Sequence, residues 1–309
     1  MSSESPLFEQ SRSILSHSQD RPTPQYMAQL ITCGLTEQVL SDTWDSLGNP
    51  QPVMAESLAD LDGLLPYIHI ASDTLGNSGD NEALLFAARD AESLYDDYAI
   101  THGERNERDT LLPASTAIWR SRVWSDPELS RAFLRAYGVD EEFITDPNAR
   151  VTIVDSGFEG SLLMYLDEVV SEAYDIRLHE AGRLAIKLAC ATPIRRYRIG
   201  QIVGTGALEH PTQNLPKTSR FMGRSDEPNL GPTYPYAIAL QLLPHYHGHY
   251  VGIAYKEGKA VGIIEPVTAD INVDVPKSDS GSLNTSFVNP LAAAIVQHRV
   301  VSAAMNRAT

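Results

Sequence analysis

The fold turns on the stretch VTIVDSGFEGSLLMYL, residues 151–166. Its first four residues are all β-branched and three are apolar, the composition of a short buried strand. The strand runs into Asp155, then into Ser156, Gly157, Phe158, Glu159, Gly160 and Ser161, after which Leu162, Leu163 and Leu166 continue at helical spacing. An apolar strand that ends in an acid and glycines and passes directly into a helix is the start of a parallel crossover.

Three other segments repeat that grammar. ALLFAA (83–88) is an apolar run followed by Arg89-Asp90, then by AESLYDDYAITHG, in which Leu94, Tyr95 and Tyr98 share a helix face. TLLPAST (110–116) is a shorter strand candidate. It precedes a mainly helical stretch, AIWRSRVWSDPELSRAFLRAYGV, where Asp126 is placed to cap a helix that has Pro127 at its first position. RLAIKLACAT (183–192) is the next buried strand. Strands separated by helices predict an α/β fold with a parallel sheet and helices on both faces. This core spans 82–200.

Around it, residues 1–24 are polar and serine-rich, end in RPTP, and read as a disordered tail. Residues 25–81 read as a helical N-terminal layer. Met27, Leu30, Ile31, Leu35, Val39 and Leu40 carry the first pattern, Gly48-Asn49-Pro50 closes it, and a second helical stretch (53–76) breaks at Pro66. Residues 201–309 form a C-terminal α+β elaboration or hood. It comprises a long Pro- and Gly-rich segment, a short helix at YAIALQLLPHY, a hairpin turning at Glu257-Gly258-Lys259, and an amphipathic helix from Asn289.

Forty acids against 24 bases give a net charge of −16, which repels a nucleic-acid backbone and disfavours that partner. A small phosphorylated ligand is compatible, because a few arginines and backbone amides hold it locally whatever the net charge. The N-terminal residues carry no basic and apolar leader pattern, and no apolar run approaches the length of a membrane span. Cys33 and Cys190 fit no metal-binding spacing and read as core thiols of a reducing compartment. The expectation is a cytoplasmic protein without membrane contact.

Ligands of open α/β sheets sit beyond the carboxyl ends of the strands, where the next helix offers free N–H groups and its positive dipole end. The stretch 156–161 suits a phosphate cradle, and Asp155 beside it suits a sugar hydroxyl or a metal ion. Its bland alternative is a tight glycine turn with Asp155 capping a helix. Arg89 can fork onto phosphate oxygens with Asp90 orienting it, or the two can be an ion pair at a helix start. Ser115, Thr116 and Arg120 follow a third strand end, and Lys217 and Arg220 lie in the long segment that could serve as a lid.

The succession from ALLFAARD through TLLPAST and VTIVDSGFEGS to RLAIKLACAT resembles the core of type I phosphoribosyltransferases. It is also similar to a bacterial domain with ARD and VDxGxxGS signatures that is grouped with haloacid-dehalogenase-like hydrolases. The resemblance covers about residues 82–192. It implies phosphoribosyl pyrophosphate as donor and Mg²⁺ as cofactor. Asp155 would then meet the ribose hydroxyls or their metal, 156–161 the 5-phosphate, and Arg89-Asp90 the pyrophosphate. This chain has Asp155-Ser156 where those transferases carry two consecutive acids. A phosphatase and a non-catalytic sugar-phosphate binding module are therefore the alternative functions.

Two further patterns carry less. Asp60-Leu61-Asp62-Gly63 matches a phosphatase nucleophile loop in spelling but lies in a helical pattern, and reads as an exposed helix terminus. His245, His247 and His249 would share one face of a strand, which suits either a polar ledge or a transition metal. No serine has the arrangement of an activated hydrolase nucleophile.

Overall fold

The computed structural model describes residues 6–16, 21–49, 55–76, 79, 81–88, 91–103, 108–113, 126–155, 161–188, 201–202, 240, 243–246, 249–256, 259–265 and 289–308. In chain order the elements are α1 (Pro6–Leu15), α2 (Pro24–Thr32), α3 (Glu37–Ser46), α4 (Ala55–Leu75), β1 (Glu82–Ala87), α5 (Glu92–Thr101) and β2 (Thr110–Leu112). They continue with α6 (Pro127–Ala136), α7 (Glu141–Thr145), β3 (Arg150–Asp155), α8 (Ser161–Tyr174), β4 (Leu184–Leu188) and β5 (Gln201–Ile202). The hairpin strands β6 (His249–Lys256) and β7 (Lys259–Glu265) and the helix α9 (Pro290–Ala308) complete the order.

Strands β1 to β5 form one parallel sheet in the order β2-β1-β3-β4-β5. The chain steps from β1 to β2 in one direction, then returns past β1 to β3 and continues to β4. Right-handed crossovers make that reversal flip the face on which the connecting helix packs. The cores obey it. Leu84 and Phe86 face one way, into a cluster with Leu61, Leu64 and Ile68 of α4, Leu94 and Tyr98 of α5, and Val296 and Val300 of α9. Ala83, Leu85 and Ala87 face the other, packing with Phe133 and Leu134 of α6, Ile144 of α7, and Leu166, Val169 and Val170 of α8. The expected α/β sheet covered on both faces is present, with β5 as a strand beyond the expected 82–200 core.

A third core joins α1, α2 and α3 to the other side of α9 through Leu15, Met27, Leu30, Leu40, Trp44, Leu291, Ile295 and Val301. Helix starts follow the sequence closely. Thr23 and Thr36 accept from Tyr26 N and Val39 N at 3.2 Å each, and Asp126 accepts from Glu128 N at 3.0 Å with Pro127 in the first turn. Gly34, at φ +99°, closes α2 in the left-handed conformation that a side chain disfavours, and Leu35 N bonds Leu30 O behind it.

The structure differs from the sequence expectations at several points. The segment read as a loose tail carries α1, because Leu7, Ser11, Ile14 and Leu15 recur at helical spacing within the serine-rich stretch; Ile14 and Leu15 are buried. Helix α4 continues through Pro66. The ring is on the exposed side, while Leu61, Leu64, Tyr67, Ile68 and Leu75 hold both halves to the core. The Asp60–Gly63 stretch is inside α4 and not at its end. Cys33 is exposed beyond the last turn of α2. Helix α9 is more than amphipathic: from Leu291 to Gln297 every residue is buried, because the helix is gripped by two cores at once. The hairpin has Lys256 paired with Lys259, so Lys259 begins β7 and the connection is Glu257-Gly258 alone. The short helix expected at 236–246 and the segment 208–233 lie outside the described residues, apart from Leu240 and 243–246.

Candidate functional site at the strand carboxyl ends

The strand order reverses between β1 and β3, and an open parallel sheet forms its ligand crevice at the carboxyl ends beside such a reversal. Phe86 pairs with Val154, so the residue that follows each, Ala87 and Asp155, ends its strand at the same level. Ala87 is also in register with Leu112, and Asp155 with Leu188, so four strands finish together. Beyond β1, Ala88 N donates to Leu112 O at 2.7 Å and Ala91 N to Ala87 O at 2.9 Å, which brings the chain directly into α5.

Among the residues expected at the site, Asp155 ends β3, half-buried, and Ser161 is the first residue of the 14-residue helix α8. Arg89, Asp90, Ser115, Thr116, Arg120, Ser156, Gly157, Phe158, Glu159, Gly160, Lys217 and Arg220 lie outside the described residues. What the described strands fix is that the carboxyl ends of β1 and β3 adjoin. His245 is buried at 3% exposure, in irregular chain, and β6 begins only at His249, so these two do not lie on one strand; His247 is outside the described residues. Pro244 beside His245 does not suit a continuous strand. Among the described residues no group of three His, Cys, Asp or Glu side chains converges to hold a metal. Nor, among them, is any helix long and apolar enough to cross a membrane.

Next to the crevice is a constellation absent from the sequence expectations. Glu92, the first residue of α5, and Asp96 one turn on are both buried, and Arg21 reaches between them from the segment that precedes α2. The guanidinium is 3.4 Å from Glu92 and in direct contact with Asp96, with the rings of Tyr95 and Tyr246 each 5.9 Å away. Gln297 of α9 donates to Asp96 at 3.1 Å and to Pro22 O at 2.9 Å, and Tyr246 N donates to Glu92 at 3.1 Å. Burial alone would lower the Arg21 pKa, but Asp96 and Glu92 outweigh it and hold it above its ordinary value. Among the described residues two carboxylates face this one guanidinium, an excess of negative charge in a dry place.

That excess appears at Asp96, whose pKa is raised from 3.8 to about 6: burial raises it, and the contacts from Arg21 and Gln297 only partly oppose this. A raised acid pKa means that the folded chain holds a proton which the unfolded chain has released. The stabilising contribution is therefore full below the unfolded value and is lost as pH rises through the folded one. Asp96→Asn, which keeps an acceptor oxygen and balances the cluster, is expected to flatten the pH dependence between about pH 4 and 6. The stability of the variant relative to the native chain should therefore be greater at neutral pH than near pH 4. Urea unfolding of both chains across that range reads both effects; a steeper dependence in the variant would contradict the assignment.

Two other buried aspartates hold histidines. Asp97 meets His69 Nδ1 at 2.5 Å and Arg307 at 2.7 Å, tying α4, α5 and α9 together. Asp167 binds both the backbone N–H, at 3.1 Å, and the ring of His179, closing the turn between α8 and β4. Each carboxylate is used on both oxygens, which suits a fixed joint more than proton transfer. No family model matches this chain, and no curated protein or solved structure matches it.

Proposed function

We propose that this chain binds a phosphorylated ribose donor, of the phosphoribosyl pyrophosphate type, in the crevice beyond β1 and β3, and passes the ribosyl group to an acceptor. The observation that carries the proposal is Asp155: an acid that ends the strand at the reversal of the sheet, six residues before the first turn of a long helix. In this assignment the residues from Ser156 to Ser161 take the 5-phosphate, and Arg89 and Asp90, one strand away, take the pyrophosphate. Ser115, Thr116, Arg120, Lys217 and Arg220 complete the substrate contacts.

A single carboxylate fits Mg²⁺, which prefers oxygen ligands and commonly takes one or two from protein and the rest from phosphates and solvent. Asp155 would hold it, and the ion would supply neutralisation of the departing pyrophosphate. The protein's own part is to fix the ribose by its hydroxyls, grip the 5-phosphate and exclude water while the bond to pyrophosphate loosens. Ser156, where the transferases it resembles have a second acid, favours a second reading in which the donor is bound without turnover.

Calorimetric titration of the native chain and of Asp155→Asn with phosphoribosyl pyrophosphate and Mg²⁺ tests the proposal. Binding by the native chain that weakens about 10- to 100-fold in the variant, the loss of one charge-assisted contact, is the expected result. No binding by the native chain would overturn it. Phosphate release from phosphomonoesters that depends on Asp155 would favour a phosphatase instead.

A further inference from the structure

The cluster around Arg21 is larger than the docking of a terminal segment requires. A buried ion pair is a weak source of stability, and apolar side chains of the same volume would serve as well or better. What such a group supplies is registry. Residues 21–24 are seated by the buried Pro22 and Pro24 rings, but their register is set by directional polar contacts: the Arg21 guanidinium on Glu92 and Asp96, and Pro22 O, which accepts from Gln297. The point on which the fork closes is also specific. Glu92 is the first residue of α5, one position after Ala91, whose N–H bonds the last residue of β1. Ala91, at the cap position of this helix, has no side chain that could accept from its first N–H groups. Its amino end is held instead through Glu92, by Arg21 on one side and by Tyr246 N on the other.

We propose that Arg21 is a positioning residue that clamps the amino end of α5, directly after β1, so that seating of residues 21–24 and the placement of that helix end are one linked equilibrium. Residues far from the strand ends thereby set how firmly the start of α5 is held before a ligand arrives. By linkage, a ligand held beyond β1 tightens the seating of residues 21–24 in return. The ligand consequence rests on the phosphoribosyl reading above; the structural coupling stands without it.

Amide hydrogen exchange on the full chain tests the coupling. Arg21→Met alone takes the guanidinium from two buried carboxylates and is open to simple misfolding, so the deciding variant is Arg21→Met with Glu92→Gln and Asp96→Asn, a neutral cluster of similar volume. Peptides covering residues 6–33 and 86–96 are expected to exchange about ten-fold faster in the triple variant, with β3 unchanged. Arg21→Lys, which keeps the charge but lacks the fork, should fall between. Faster exchange at 6–33 with 86–96 unaltered would overturn the clamp, as would no change in either. Titration with phosphoribosyl pyrophosphate and Mg²⁺ forms the second arm. Native binding that weakens in the triple variant supports the link to the crevice, and equal binding overturns that link. If the native chain does not bind, the functional reading falls while the exchange result still decides the clamp.

Discussion

Arg21→Met is expected to lower the unfolding free energy near neutral pH by about 3–5 kcal/mol, the cost of leaving buried carboxylates without their partner. The Glu92 and Asp96 side chains are only 5% and 3% exposed, so water cannot replace the guanidinium without opening the interface of α5 with α9. The loss has a signature that ordinary packing damage lacks. The stranded carboxylates of the variant can take up protons, so the deficit should shrink as pH falls towards about 5. The neutral triple variant should recover most of the loss. Denaturant unfolding at two pH values measures both; a deficit independent of pH would assign the effect to packing of the arginine stem.

Phe86→Ala is the second large effect, expected to cost about 3–5 kcal/mol. Phe86 is fully buried one residue before the end of β1, and its ring lies 5.3 Å from those of Tyr95 and Tyr98, the former edge-on. Leu84, Leu94 and Val154 belong to the same buried cluster, with side chains from α4 and α9. A cavity there cannot collapse cheaply, because the strand is fixed by hydrogen bonds to both neighbours. The midpoint of urea unfolding should fall with its slope unchanged; a loss below about 1 kcal/mol would mean that α5 closes the gap.

The difference between what the sequence disclosed and what it concealed has a physical basis. Strands β1 and β3 were legible because they are buried on both faces, and such strands are continuous apolar runs bounded by polar turns. Asp126-Pro127 was legible because a cap acts on residues two and three positions away. The hairpin was legible for the same reason: its partners are neighbours in the chain. Helix α1 was concealed because its stripe is narrow and one member, Ser11, is polar; the buried hydroxyl satisfies itself on Leu7 O at 2.8 Å. Pro66 misled because the rule against proline within helices assumes no outside support, and a helix docked along its whole inner face tolerates one missing hydrogen bond on the other.

The candidate site divides in the same way. Asp155 and Ser161 announce themselves by position, directly after an apolar run and at a helix start. That the carboxyl ends of β1 and β3 adjoin is a property of strand order, and order follows from which crossovers pack well, not from any local residue pattern. Arg21 was beyond reach for another reason. It lies 71 residues from Glu92, in a stretch whose composition suggests a tail, and Gln297, which ties the cluster together, lies 275 residues from Pro22. Glu92, Asp96 and Asp97 of α5 look like a solvated face until something folds over them.

Helix α9 has a consequence for how the molecule is made. It supplies Val296 and Val300 to the sheet side and Leu291, Ile295 and Val301 to the helical side, yet it is synthesised after every element it touches. Until residue 308 has left the ribosome, the nascent chain must carry the inner faces of α2, α4 and α5 uncovered, with the Asp96 carboxylate waiting for Gln297. Sequence-distant closure of this kind is slow, and the exposed apolar surface is what chaperones recognise. The helix that closes these two cores is thus also the one whose late synthesis leaves the growing chain at risk of aggregation.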